Sequence, residues 1–215
     1  MHADPRRLVE QEAFGLTTHI EDVTRRLAEA GWYAVAPALF HRQGAPVFAY
    51  DDVPSARAVM EQLSAGGIEE DVAAAFEHLK ARGFAASQVG VVGFCMGGSV
   101  AFYAAAGREL GAAVTFYGGG IASGRFGSPS QIDLAPNLRT PWLGLYGDLD
   151  TTIPTDEVES LRTAMAGARV PTEIVRYADA AHGFNCDERP SVFNHNAAKN
   201  AWSRTLAWFE AHARA

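Results

Sequence analysis

Cysteine is scarce in this 215-residue chain, and its two thiols, Cys95 and Cys186, are too few for a disulfide scaffold. Neither lies in a paired Cys or Cys/His spacing that could build a zinc site. Long apolar runs are missing too. No stretch approaches the roughly 18 consecutive apolar residues of a membrane span, and residues 1–10 lack the apolar segment of an export signal. Positive charge is in deficit, with 18 Lys and Arg against 25 Asp and Glu, a formal net charge of −7. That balance gives no electrostatic footprint for nucleic acid or an anionic membrane surface. Repeats, low-complexity tracts and linkers are absent as well. The expectation is one domain over residues 1–215, cytoplasmic with reduced thiols, a monomer or small homo-oligomer whose partner is a small molecule.

What is present is an alternation of strands and helices. Thr18 to Glu21 reads as a capping box opening a helix that carries Ile20, Val23 and Leu27 on one face and stops at Gly31. A short strand, Tyr33 to Ala36, follows. A loop with His41, Arg42 and Gly44 leads past Pro54 into helical segments, the second with Val72, Ala75, Phe76 and Leu79 at helical spacing. Val89 to Phe94 is an apolar run of strand length, and the Ala-rich stretch Gly97 to Ala106 forms a helix directly after it. Strands at Ala112 to Tyr117, Trp142 to Tyr146 and Thr172 to Tyr177, with helices at Thr155 to Ala166 and from about Ala197 to His212, complete the pattern. Strands separated by helices imply an α/β fold, a mostly parallel sheet covered on both faces. Ligands of such sheets lie at the carboxyl ends of the strands.

Gly93-Phe94-Cys95-Met96-Gly97 has the form of the nucleophile elbow Gly-x-Ser-x-Gly, with sulfur replacing the serine oxygen. A strand-to-helix turn this sharp leaves no room for Cβ atoms beside the nucleophile and brings the N–H of Met96 near a developing oxyanion. The adjacent helix N-terminus favours a thiolate. The plainer alternative is a core thiol whose glycines only pack helix on strand. His182, in a loop of small residues after the last strand, can act as base. Asp148 and Asp150 both lie just past a strand end, where an acid could orient that histidine, and either could instead be a turn residue. The order nucleophile, acid, histidine is that of α/β-hydrolases.

Gly93-Phe94-Cys95-Met96-Gly97-Gly98, Gly147-x-x-Asp150-x-x-x-Pro154 and Ala181-His182-Gly183-Phe184 resemble the three signature regions of the dienelactone hydrolase (carboxymethylenebutenolidase) family. The resemblance runs from about Gln11 to the C-terminus and implies the α/β-hydrolase fold. It selects Asp150 as the acid, four positions before the proline. It further implies that Glu12, within Gln11-Glu12-Ala13-Phe14-Gly15, interacts with the resting cysteine and that Ala13 supplies a second oxyanion N–H. From the residues alone, Glu12 is an acidic side chain before a helix, a position most often solvated. Two departures stand out. Asp4, Arg6, Arg7 and Glu10 interrupt the apolar strand that family members carry before the glutamate, so the start reads as shortened or altered, with a strand lost. Four residues after the histidine, where the founding enzymes hold the dienelactone carboxylate with arginine, this chain has Cys186.

The resulting expectation is a cysteine hydrolase of a small-molecule ester or lactone, with Cys95, Asp150 and His182 as a triad and Met96 and Ala13 as oxyanion donors. It requires no metal or organic cofactor. A general carboxylesterase or thioesterase would use the same residues. A non-catalytic binding descendant of the fold, or a redox role for an accessible Cys95, are the alternatives from other classes. The loops Phe40 to Pro54 and Ile121 to Arg139 are expected to shape the pocket.

Overall fold

The computed structural model describes residues 6–213, with side chains from Gln11 onward. Its elements in chain order are β1 (Arg6–Glu10), α1 (Thr18–Glu29), β2 (Tyr33–Val35), α2 (Val53–Met60), α3 (Ala65–Lys80), β3 (Val89–Phe94), α4 (Met96–Gly107), β4 (Ala112–Phe116), α5 (Gln131–Leu134), β5 (Trp142–Gly147), α6 (Thr155–Met165), β6 (Thr172–Tyr177) and α7 (His195–His212). The strands form one parallel sheet in the order β2-β1-β3-β4-β5-β6. The chain moves outward from β1 to β2, then crosses back to β3 and continues to β6. The direction of winding therefore reverses between β1 and β3, and the crevice beyond their carboxyl ends is where such sheets bind ligands.

Every residue of β3, β4 and β5 is buried, as their unbroken apolar sequences require of strands covered on both faces. α4 is almost wholly buried against β3 and β4, which its Ala-rich composition permits. α1 turns Ile20, Val23 and Leu27 inward, and α6 turns Val158, Leu161 and Met165, each set at helical spacing. A fully buried Phe or Leu of this kind contributes about 1.5–3 kcal/mol. A polar thread crosses this apolar interior: the Trp142 indole N–H donates to Thr115 Oγ1 at 3.0 Å, and the Thr115 hydroxyl donates to the Gly98 carbonyl at 2.9 Å. It ties β5 through β4 to the first turn of α4, the turn that follows Cys95.

Two expectations are corrected. The charged residues at the start do not remove a strand. Residues 6–10 form β1 between β2 and β3, in register from Arg6 opposite Val89 to Glu10 opposite Gly93. Ladder pairing is made by main-chain N–H and C=O groups, which charged residues carry as well as apolar ones. The cap of α1 is Thr17, not Thr18. Thr17 has an extended backbone and its side chain accepts from the Ile20 N–H at 3.4 Å.

Candidate active site

Cys95 stands between β3 and α4 with φ 54° and ψ −113°, a left-handed conformation that costs a non-glycine residue about 1–3 kcal/mol. The surroundings hold it there. Its N–H donates to the Phe116 carbonyl at 3.0 Å, and a Cβ on Gly93 would land on the Gly97 carbonyl. A Cβ on Gly98 would come within 2.6 Å of the Phe116 carbonyl oxygen. Side chains at these positions would push α4 off the sheet.

The loops after β5 and β6 are clipped together. The N–H groups of Asp148 and Leu149 donate to the carbonyls of Tyr177 and Ala180, each at 2.9 Å. Gly147 is required for that approach, because a Cβ there would strike the Ala180 carbonyl. In consequence Asp150 Oδ2 meets His182 Nδ1 at 2.6 Å. The other oxygen, Oδ1, accepts from the Thr152 N–H at 2.8 Å and its hydroxyl at 2.7 Å. The Asp150 carboxylate is fully buried. Burial alone would raise its pKa, but the bonds and charge of His182, followed by the Thr152 bonds, hold it below the usual carboxylate range. Asp148 is committed elsewhere, in an ion pair with Arg176 at 2.7 Å. The structure thus brings Asp150, and not Asp148, to His182.

The same imidazole is coupled to the Cys95 thiol. Burial opposes ionisation of that thiol, but the His182 charge and hydrogen bond outweigh it and lower its pKa, against the Glu12 carboxylate and with help from Arg125. Reciprocally, burial alone would lower the His182 pKa, yet Cys95 and Asp150 together push it up to about 10. The pair favours a thiolate and an imidazolium.

Glu12 is buried and not solvated, because the turn after β1 folds it under Tyr117. Its Oε1 lies 3.4 Å from the Tyr117 hydroxyl, and Oε2 has no hydrogen-bond partner among the described residues. The Glu12–Gly15 turn closes with the Gly15 N–H on the Glu12 carbonyl at 3.2 Å. Gly15, at φ 92°, packs under the Pro46 carbonyl. Among the described residues, neither the Ala13 nor the Met96 N–H has a backbone acceptor. Tyr117 went unremarked in the sequence. It is fully buried at φ 39°, with its ring 5.0 Å from that of His182. Its only signal was an aromatic residue at a strand's carboxyl end before three glycines.

Cys186 is buried. Its thiol donates to the Tyr50 hydroxyl at 3.4 Å. Burial, followed by the Glu12 carboxylate, pushes it up to about 12. Among the described residues no cluster of three or more His, Cys, Asp or Glu could hold a metal ion, and no helix is long and apolar enough to cross a membrane.

This geometry sits within a sequence that matches the profile of the Dienelactone hydrolase family over residues 4–213. The chain belongs to the dienelactone hydrolase family. A protein of Salmonella typhimurium provisionally named carboxymethylenebutenolidase is 39% identical over 208 residues, covering 94% of this chain and 75% of the relative. One of Methylorubrum extorquens with the same provisional name is 35% identical, covering 95% and 71%. The crystal structure of a provisionally assigned dienelactone hydrolase from Klebsiella pneumoniae is 39% identical and superimposes with a TM-score of 0.86 over 97% of this chain and 88% of the other. The protein is accordingly a dienelactone hydrolase-like hydrolase, with an ester or lactone as its class of bond.

Proposed function

We propose that the protein hydrolyses a small-molecule ester or lactone through a covalent acyl-cysteine, with Cys95 as nucleophile, His182 as general acid and base, and Asp150 as the orienting carboxylate. The observation that carries the reading is the His182 imidazole held at 2.6 Å by the buried Asp150, with the charge of that imidazole lowering the pKa of Cys95 at the strained turn between β3 and α4. A carboxylate on Nδ1 fixes the tautomer and ring angle and leaves Nε2 for the nucleophile.

The Cys95 thiolate attacks the carbonyl carbon, and a C–S bond forms as the C=O electron pair moves onto oxygen. The N–H groups of Met96 and Ala13, with no backbone acceptor of their own, stabilise that oxyanion. The intermediate collapses and the C–O bond to the alcohol breaks. The His182 imidazolium protonates the departing alkoxide and becomes neutral. Neutral His182 then takes a proton from water, whose oxygen attacks the thioester. The C–S bond breaks, the acid leaves and the thiolate–imidazolium pair returns. Glu12, whose charge opposes the thiolate, is assigned the accessory role of tuning the resting cysteine. The sequence implies no metal or cofactor for these steps. Two free thiols suit a reducing compartment, and we place the enzyme in the cytoplasm.

The test is hydrolysis of 4-nitrophenyl acetate and a panel of lactones by the wild-type protein and Cys95→Ala. Turnover that disappears in the variant, with an acyl adduct on the Cys95 peptide by mass spectrometry, is the expected result. Turnover retained in Cys95→Ala would exclude the thiol mechanism.

A further inference from the structure

An open cavity of about 270 Å³ lies between α1, α7 and the loop after β6. None of Cys95, Asp150 and His182 lines it. Its walls include Arg26 of α1, Asn185 and Asp187 of the loop, and one face of α7, where His195, Lys199 and Trp202 recur at helical spacing.

The polar groups of this cavity are donors left without acceptors. Asn185 is 4% exposed, and its Nδ2 has no hydrogen-bond partner among the described residues. Its main chain is pinned at the cavity wall, with the Cys186 N–H on the Gly183 carbonyl at 2.9 Å and the Asn194 N–H on the Phe184 carbonyl at 3.0 Å. A buried amide donor ordinarily has a partner, and without one it bears the full cost of its desolvation. Lys199 adds a charge to the same wall. Of the two lysines in this acidic chain, Lys80 pairs with Glu77, whereas Lys199 has no carboxylate partner among the described residues. It follows His195 by four positions, and the first turn of α7 holds no acidic residue. Basic groups at the N-terminal turns of a helix face the positive end of its dipole, an arrangement that an anion relieves.

Asp187 is the one carboxylate in the walls, and both its oxygens are engaged. Oδ1 meets His19 Nδ1 at 3.1 Å, and Oδ2 meets Arg26 Nη2. Arg26 reaches Asp187 and Asp22 through Nη2 alone, so its Nε and Nη1 are further donors without a carboxylate. Trp202, packed against the core, supplies a flat apolar wall. The cavity exceeds the roughly 150 Å³ that encloses benzene and falls below the roughly 300–1,000 Å³ of drug-sized pockets, so a single ring with one charged group fits it.

We propose that this cavity is a binding site for a small aromatic oxyanion, a phosphate or carboxylate carried on a single ring, with the anion on Lys199 and Asn185 and the ring on Trp202. The site is separate from the triad and does not rest on the hydrolase reading.

The test is an NMR titration of the ¹⁵N-labelled protein with phenyl phosphate, benzoate, inorganic phosphate and benzamide, followed at the Trp202 indole and Asn185 side-chain amide signals. The expected result is a saturable shift of both signals by phenyl phosphate, benzoate or both, the tighter one identifying the oxyanion. Inorganic phosphate, which lacks the ring, and benzamide, which lacks the charge, should bind about tenfold more weakly or less well still. Lys199→Gln should weaken the anion about tenfold, whereas Lys199→Arg keeps it within about threefold. Asn185→Leu, which keeps the volume and removes the donor, should weaken it about fivefold, read at Trp202. Lys199 is exposed, so its variants leave the fold intact. The absence of any saturable shift up to about 10 mM would overturn the site. So would shifts centred on Cys95 and His182 with Trp202 unmoved, benzamide binding as tightly as benzoate and phenyl phosphate, or an affinity indifferent to both Lys199→Gln and Asn185→Leu.

Discussion

Cys95 and Cys186 are the same chemical group in opposite settings. Cys95 sits at a strained turn, half open, against an imidazole braced by a buried carboxylate, and its pKa is lowered. Cys186 is enclosed, donates to a tyrosine hydroxyl that itself donates to Thr17, and is pushed up to about 12. Burial opposes ionisation of both thiols. The difference lies in what faces each sulfur. A cation facing the first outweighs desolvation, whereas the Glu12 carboxylate adds to it at the second. Reactivity here is a property of neighbours and not of residue type.

The contrast breaks most readily by deletion. Cys95→Ala should lower kcat for 4-nitrophenyl acetate by about 10⁴-fold or more, as loss of a nucleophile does in comparable triads. Cys186→Ala should cost less than about tenfold, since it removes one weak thiol hydrogen bond and a small volume. Comparable losses from the two variants, with circular dichroism showing both folded, would end the distinction between the thiols.

The same logic applies to the two aspartates. Asp150→Asn keeps the shape but lets the amide hold the imidazole in the wrong tautomer, so kcat should fall by about 10²- to 10⁴-fold. Asp148→Asn breaks a partly exposed ion pair with Arg176, an interaction of about 0–1 kcal/mol, and should leave kcat within about threefold. A reversed ranking in steady-state kinetics would assign the acid to Asp148.

A pH series of iodoacetamide labelling sharpens the comparison of the thiols. The Cys95 pKa is lowered by the His182 charge against the cost of burial, so its thiolate is populated at lower pH than that of an ordinary thiol, and labelling declines as pH falls through that lowered value. Cys186 remains a thiol until pH approaches about 12. At pH 7 Cys95 should be alkylated on the order of 10²-fold faster, and the ratio should narrow as pH rises. Equal rates at pH 7, read by peptide mass spectrometry, would contradict the lowered thiol.

Much of this architecture was legible because apolar runs and glycines carry direct physical meaning. The strand Val89 to Phe94 followed by an Ala-rich stretch admits only a buried strand and a buried helix, and the elbow glycines match the crowding around Gly93 and Gly98. Where the outcome depended on long-range partners, the sequence was mute or misleading. Asp148 and Asp150 follow the same strand end, and what separates them is Arg176, 28 residues from Asp148, and Thr152 beside Asp150. Glu12 reads as solvated because nothing local announces Tyr117, 105 positions away. The charges before Glu12 suggested a missing strand because side-chain pattern was read where main-chain pairing decides.

The smallest expected effect concerns Thr152, which separates the reactive thiol's surroundings from those of Cys186 by one further step. Its hydroxyl donates to Asp150 Oδ1 at 2.7 Å and also lies 3.3 Å from His182 Nδ1. With Oδ1 occupied by Thr152, the carboxylate presents Oδ2 to the histidine. Thr152→Val removes the hydroxyl and preserves the β-branched shape and the main-chain N–H bond at 2.8 Å. A hydrogen bond of this kind contributes about 0.5–1.5 kcal/mol, and only the part felt in the transition state appears in the rate. The kcat should therefore fall about two- to tenfold with KM nearly unchanged. Thr152→Ser, which restores the hydroxyl, should recover most of the loss. A purely structural role would instead lower the melting temperature of the valine variant and leave kcat untouched. That result would reduce Thr152 to a turn residue and leave Asp150 to orient the imidazole without its help.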